Sequence, residues 1–112
     1  MTRASVSGTV EVVVARGKRP TARLVARYEA GRLRDITAAD ASTPLEPAAA
    51  VVLTLSPDDA AAVRDGALDL SVAFMRGQMK MAGDFGVLLA VLPITRDVEH
   101  RAALSAALTA AL

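Results

Sequence analysis

The chain of 112 residues contains no cysteine, no tryptophan, one histidine, one tyrosine and two phenylalanines. Without cysteine it can form neither disulfides nor thiolate metal sites, and it has no thiol nucleophile. One histidine cannot supply the several imidazoles of a histidine-rich metal site. Hydrophobic residues nevertheless make up 53% of the chain, so the core has to be built from Ala, Val, Leu and Met. We therefore predict no metal and no cofactor.

Long apolar runs are also missing from the sequence. No stretch approaches the roughly 20 apolar residues that a membrane-spanning helix needs. The first eight residues, MTRASVSG, lack the apolar core of a secretory signal peptide. The length suits one domain with an ordinary core. We expect a single cytoplasmic domain over residues 1–112.

The net charge of +1 conceals an uneven distribution along the chain. Residues 1–34 contain eight basic and two acidic residues, whereas residues 35–112 contain five basic and ten acidic ones. One interpretation is a basic face for transient contact with an anionic membrane surface or an acidic partner. The other is the solvent-exposed side of a sheet, balanced by acidic helices. Nucleic acid is not expected as a partner, because only Tyr28 could stack on bases near the arginines.

Apolar residues alternate with polar ones in the first half of the chain, which predicts strands. The clearest case is Leu24, Ala26 and Tyr28, which would share one face of a half-buried antiparallel strand. Residues 40–47, rich in proline and acids, are predicted to form a loop. The four predicted strands cover residues 6–15, 21–29, 33–38 and 49–55.

Helix-start signals appear in the second half. Ser56 can cap a helix, Pro57 suits its first turn, and the pair Asp58-Asp59 favours the positive end of the helix dipole. The two acids are therefore interpreted as helix-start residues rather than metal ligands. Asp69 caps a second short helix by the same logic. The predicted helices cover residues 56–65, 69–75 and 85–92, with a last one that starts after a cap at Thr95 or Asp97.

The hydrophobic spacing changes from strand-like to helical around Gly83. Met79 and Met81 are separated by one polar residue, which predicts a strand with one apolar face. Gly83 allows the chain to turn, and Asp84 can cap the helix that follows. Residues 87–92 contain no polar side chain, so this helix has to be covered on all sides or to face an apolar partner. Its apolar stripe consists of Phe85, Leu88, Leu89 and Leu92.

The order of elements is four strands, two short helices, a fifth strand and two final helices. This order predicts an α+β domain in which a mostly antiparallel sheet carries helices on one face. Together with LTLSPDD at residues 53–59 and AFMRGQMKMAGDFG at residues 73–86, it resembles the sterol carrier protein type two (SCP-2, sterol-transfer) family. The alanine, phenylalanine, methionine and three glycines of the second segment fall at the family's spacing.

The resemblance implies a twisted five-stranded sheet covered by helices, with an apolar cavity between them. Such domains bind and carry sterols, fatty acids, acyl-CoA or phospholipids, so the resemblance implies lipid transport without catalysis. One departure concerns the N-terminus, since family members usually begin with a helix and only residues 1–5 precede the first strand here. The missing wall would then be supplied by the C-terminal helix or by the second subunit of a homodimer.

The candidate ligand-binding residues are apolar side chains on the fifth strand and the helices around it, with two leucines of the last helix closing the end. They are Phe74, Met75, Met79, Met81, Phe85, Leu88, Leu89, Leu92, Leu104 and Leu108. Each can instead be ordinary core. An alternative function is therefore a dimeric structural or enzyme-accessory module without its own ligand. His100 is expected to be exposed to solvent and not catalytic.

Overall fold

The computed structural model describes residues 7–40 and 48–112. Its strands are β1 (Gly8–Arg16), β2 (Arg19–Glu29), β3 (Arg32–Ala39), β4 (Val51–Leu55) and β5 (Met79–Gly83). Its helices are α1 (Pro57–Arg64), α2 (Leu70–Met75), α3 (Phe85–Val91) and α4 (Val98–Ala111), with a 3₁₀ helix at Ile94–Arg96. The predicted order of elements is confirmed. The predicted N-terminal departure and most of the predicted loop, residues 41–47, lie outside the described residues.

The five strands form one sheet in the order β3-β2-β1-β4-β5. Neighbouring strands are antiparallel except β1 and β4, which run parallel. The sheet is therefore mixed but mostly antiparallel, and the predicted α+β class is confirmed. The two parallel strands, β1 and β4, carry dense runs of valine and leucine. Such runs are typical of strands inside a sheet, where a neighbouring strand lies on each side.

The register of the strands aligns their apolar side chains in rows on one face. Val12 lies opposite Leu24 on β2 and opposite Leu53 on β4, and Leu53 in turn lies opposite Met81. Buried residues from all four α-helices join these rows in one hydrophobic core. The helices therefore cover this face of the sheet, as the sequence predicts.

The opposite face carries charged residues that pair across strands. Arg23 lies 2.5 Å from Glu11, and both side chains are only 12% exposed. Arg27 forms an exposed pair with Asp35 at 3.1 Å. These two arginines therefore have acidic partners on neighbouring strands of the sheet, and contact of the basic N-terminal third with an anionic surface stays a prediction.

Side-chain caps start three of the helices. Ser56 accepts a hydrogen bond from the Asp59 amide at 3.1 Å. Asp69 and Asp84 do the same for α2 and α3, at 2.8 and 3.1 Å. These three predicted caps are confirmed. Within the described part of the chain, no helix is long and apolar enough to cross a membrane.

Candidate functional site

Helices α2 and α3 flank β5 at one edge of the sheet. β5 pairs only with β4, so its outer edge is not hydrogen-bonded to another described strand. Gly83 ends this strand with a φ of +107°, a conformation that side-chain-bearing residues rarely adopt. Asp84 then caps α3. The chain thus passes directly from β5 into α3, which packs against β4 and the 3₁₀ helix.

Helix α3 buries one side and exposes the other. Leu88 is fully buried, whereas Phe85 and Leu89 are each 51% exposed. The ring of Phe74 lies 6.2 Å from that of Phe85, centroid to centroid. We call Phe74, Phe85 and Leu89 the apolar rim. Met75, which follows Phe74, is 84% exposed. Clustered exposed apolar side chains are typical of interaction sites.

Two methionines of β5 belong to or pack against the hydrophobic core. Met79 is 3% exposed and pairs with Leu55, while Met81 is partly buried and pairs with Leu53. Methionine side chains are flexible and fit irregular neighbours. Leu92, directly after the end of α3, is half-buried. This part of the core can therefore adapt its shape more readily than a core of valines.

The other two candidate residues lie elsewhere. Leu104 and Leu108 are buried on α4, which packs against β2, β3 and α1. Helix α3 packs instead against β4 and the 3₁₀ helix. The ten candidates thus form a group of eight around α2, β5 and α3 and a separate pair under α4. Their contact with a ligand stays a prediction.

Two cavities lie beside α4. The first, of about 360 Å³, separates the end of α1 and the α1–α2 loop from α4, and its apolar lining includes Val63, Leu70 and Leu104. The second, of about 700 Å³, lies between β3 and the first turn of α4 and is polar. Neither is lined by β5 or α3. They are therefore distinct from the predicted space under residues 85–92.

Residues 3–95 match the family model of the SCP-2 sterol transfer family. This chain belongs to the SCP-2 sterol transfer family. The resemblance carried by residues 53–59 and 73–86 is confirmed by this match. A comparison with curated proteins finds no match to the chain.

Solved structures share the fold of this SCP-2 family member. A conserved hypothetical protein from Thermus thermophilus superposes with a TM-score of 0.64 at 16% identity, over 95% of this chain and 73% of the other. A sterol carrier protein 2 gives 0.60 at 17% identity, over 97% and 81%. Palmitated SCP2L2 from Aedes aegypti gives 0.56 at 14% identity, over 83% and 76%. At these identities the likeness establishes the fold alone.

The expectation that His100 of this SCP-2 domain is exposed is wrong. Its exposed fraction is 2%, and its Nε2 lies 2.7 Å from the hydroxyl of Tyr28. Burial lowers the pKa of His100, although the nearby Asp97 carboxylate acts in the opposite direction. Burial also raises the pKa of Tyr28 well above its usual value. Both groups are therefore neutral near pH 7.

The sequence did contain a signal for this burial. His100 precedes Leu104 by four residues and Leu108 by eight, so all three lie on one side of α4. The apolar stripe of Leu104 and Leu108 on α4 therefore extends to His100. The charged residues on either side of it, Glu99 and Arg101, hid this pattern in the sequence. In the part of the chain that the structure describes, no three His, Asp or Glu side chains are grouped to hold a metal ion.

Proposed function

We propose that this chain binds and carries a hydrophobic ligand of the sterol, fatty acid, acyl-CoA or phospholipid class, without catalysing a reaction on it. Membership of the SCP-2 family supports this proposal. The structural observation that carries it is the exposure of Phe85 and Leu89 on α3, at 51% each, in the segment that follows the methionines of β5. The proposed ligand packs its chain against Phe85 and Leu89 and displaces Met81, which is already only partly buried.

The energy available at such a site is sufficient for useful affinity. Each buried methylene contributes about 0.8 kcal/mol, so a chain of about ten methylenes yields roughly 8 kcal/mol. This corresponds to a micromolar Kd, before the cost of losing translational freedom is subtracted. An acyl chain of about 16 carbons leaves a margin for that cost. One Aedes aegypti protein of this fold is palmitated, which makes palmitate the first probe to use.

The proposal is tested by the substitution Leu89→Arg. A charge at this half-exposed position leaves the core intact but places a hydrated guanidinium on the rim. We expect the retention of palmitate, measured by native mass spectrometry, to fall at least about tenfold, the effect of roughly 1.4 kcal/mol. The matched control is Leu112→Arg, since Leu112 is a similarly exposed leucine, at 45%, beside the end of α4.

A third variant, Val98→Arg, separates two locations for the ligand. Val98 is 80% exposed and lines the cavity between α1 and α4. If Leu89→Arg retains palmitate while Val98→Arg loses it, the ligand lies in that cavity and the rim is not the site. If all variants keep wild-type retention and remain folded by circular dichroism, both locations are wrong.

A second candidate function is the dimeric module without a ligand. The exposure of Phe85 and Leu89 also suits burial against a second copy of the chain. Light scattering combined with native mass spectrometry distinguishes the two, because the carrier retains palmitate in whichever oligomeric state it has and the module does not. A dimer that Leu89→Arg converts to a monomer, with no palmitate retained by either form, would replace the carrier proposal. Contact with anionic membranes and the cytoplasmic location stay predictions.

A further inference from the structure

The polar cavity between β3 and the first turn of α4 contains a buried group without a partner. His100 lines this cavity, and its Nδ1 has no hydrogen-bond partner although only 2% of the residue is exposed. Burying a polar atom without a partner costs free energy, because its hydrogen bonds to water are lost and not replaced. A ligand atom that bonds to Nδ1 would recover this cost.

The hydrogen bond to Tyr28 determines what Nδ1 offers. The hydroxyl of Tyr28 stays protonated because its burial disfavours the phenolate and raises its pKa. A protonated hydroxyl can donate to His100 Nε2 or accept from it at 2.7 Å, and we assign the hydroxyl as the donor because this leaves the proton on Nδ1, the atom without a partner. A neutral imidazole that accepts at Nε2 carries its proton on Nδ1. Nδ1–H is thus a donor, and it requires an acceptor oxygen from the ligand.

The charged residues around the cavity carry both signs. Arg34 and Asp35 are already paired, with Glu29 at 3.2 Å and Arg27 at 3.1 Å. Arg32 and Glu99 also line the cavity, and neither forms an ion pair or side-chain hydrogen bond with any residue of the described ranges 7–40 and 48–112. Asp97 lines the cavity as well and has an interaction of its own, so Arg32 and Glu99 are the cation and the anion left for a ligand.

We propose that this cavity binds a zwitterionic group, whose phosphate or carboxylate oxygen accepts from His100 Nδ1–H and Arg32 while its ammonium lies at Glu99. Its volume of about 700 Å³ is within the range of small-molecule sites. The group can come from a free small molecule or from the head group of a lipid. The site shares no residue with the apolar rim, so it does not depend on the proposed carrier function.

The single histidine and single tyrosine make this proposal directly measurable. In proton NMR of the whole chain, the imidazole signals belong to His100 alone. One arm adds O-phosphoethanolamine, and a second adds dihexanoyl phosphatidylethanolamine as the monomer. We expect a saturable shift of the His100 signals in at least one arm. The arm that responds, or responds more strongly, identifies the source of the group.

The bound anion should also raise the pKa of His100, because it favours the imidazolium. The titratable and charged groups around this imidazole are its hydrogen-bond partner Tyr28 from β2 and the residues that line the cavity with it: Arg32, Arg34 and Asp35 from β3, Asp97 before α4, and Glu99 from α4. Asp97 already opposes the effect of burial. A pKa of His100 that is unchanged at saturation would contradict direct contact with the anionic oxygen.

Two substitutions test the charges, and both sites are exposed, so folding is not at issue. Arg32→Ala and Glu99→Gln should each weaken binding about two- to fivefold, as is usual for exposed ion pairs. Arg19→Ala, at the opposite end of β2, is the matched control and should change nothing. No shift in either arm would overturn the proposal. So would equal affinity for inorganic phosphate alone, or unchanged affinity in both cavity variants.

Discussion

Replacing Gly83 with alanine tests the tight connection between β5 and α3. An added methyl group would overlap the carbonyl oxygen of Ala50 and would lie 3.2 Å from the Cα of Val51. Ala50 cannot retreat easily, because its carbonyl accepts a hydrogen bond from the Asp84 amide at 2.9 Å and Val51 pairs with Gly83 in the sheet. The substitution therefore combines an unfavourable φ of +107° with a clash against fixed backbone.

The expected loss can be worked out from these two contributions. A side chain at positive φ costs about 1–2 kcal/mol, and forced overpacking typically costs about 1–3 kcal/mol. We expect Gly83→Ala to lower the free energy of unfolding by about 3 kcal/mol. For a domain of this size, 1 kcal/mol corresponds to roughly 4 °C in Tm, so the melting temperature should fall by about 12 °C.

Gly77→Ala is the control that isolates the clash. Gly77 also has a positive φ, +74°, but an added methyl group would meet no atom within 4 Å. Only the backbone penalty applies, so we expect a loss of about 1 kcal/mol. Urea denaturation followed by circular dichroism measures both variants. Equal losses would refute the argument, because they would show that the contact with Ala50 imposes no restriction.

Two further predictions concern buried polar groups. The pKa of His100 is lowered in the folded state, below its ordinary value of 6.5. Between these two pKa values the unfolded chain binds more protons, so stability should fall as pH decreases through this range, and the slope should flatten in the double variant Tyr28→Phe/His100→Phe. Urea unfolding at about pH 7.5 and about pH 5.5, on either side of the ordinary histidine pKa, checks this, and identical slopes would contradict it. Removing Glu11 from its pair with Arg23, both 12% exposed, should cost about 3 kcal/mol in Glu11→Ala. The double variant Glu11→Leu/Arg23→Met should recover most of this loss in the same assay, and a double variant no more stable than Glu11→Ala would argue against a buried charge effect.

The sequence predicted the helices and strands well, because the signal for each of them comes from residues that are close together in the chain. Ser56, Asp69 and Asp84 cap the helices that follow them, since a side-chain oxygen and a free amide two or three residues later suffice. Alternation in β2 likewise placed Leu24, Ala26 and Tyr28 on the buried face. The 3₁₀ helix at Ile94–Arg96 has no comparable spacing signal and was not predicted.

The candidate site was harder to predict from the sequence, because it depends on how α3 is rotated against the sheet. Every residue from Val87 to Leu92 is apolar, so the pattern cannot tell which side is buried. Only the structure separates buried Leu88 from half-exposed Leu89. The volume between a helix and a sheet depends on small changes in their separation, which no spacing of residues encodes. The polar cavity beside His100 likewise joins β3 to α4, two segments far apart in the chain.

The parallel pairing of β1 with β4 has a consequence for how the chain acquires its fold. Val10 on β1 pairs with Val51, which is synthesised much later, whereas its antiparallel neighbour β2 follows at once. A chain that has been synthesised only as far as β3 lacks the strand that covers the β4-facing edge of β1 in the native sheet. Contacts this distant in sequence slow folding, and an uncovered edge invites pairing between nascent chains. Translation speed across residues 40–55 should thus influence the yield of native protein.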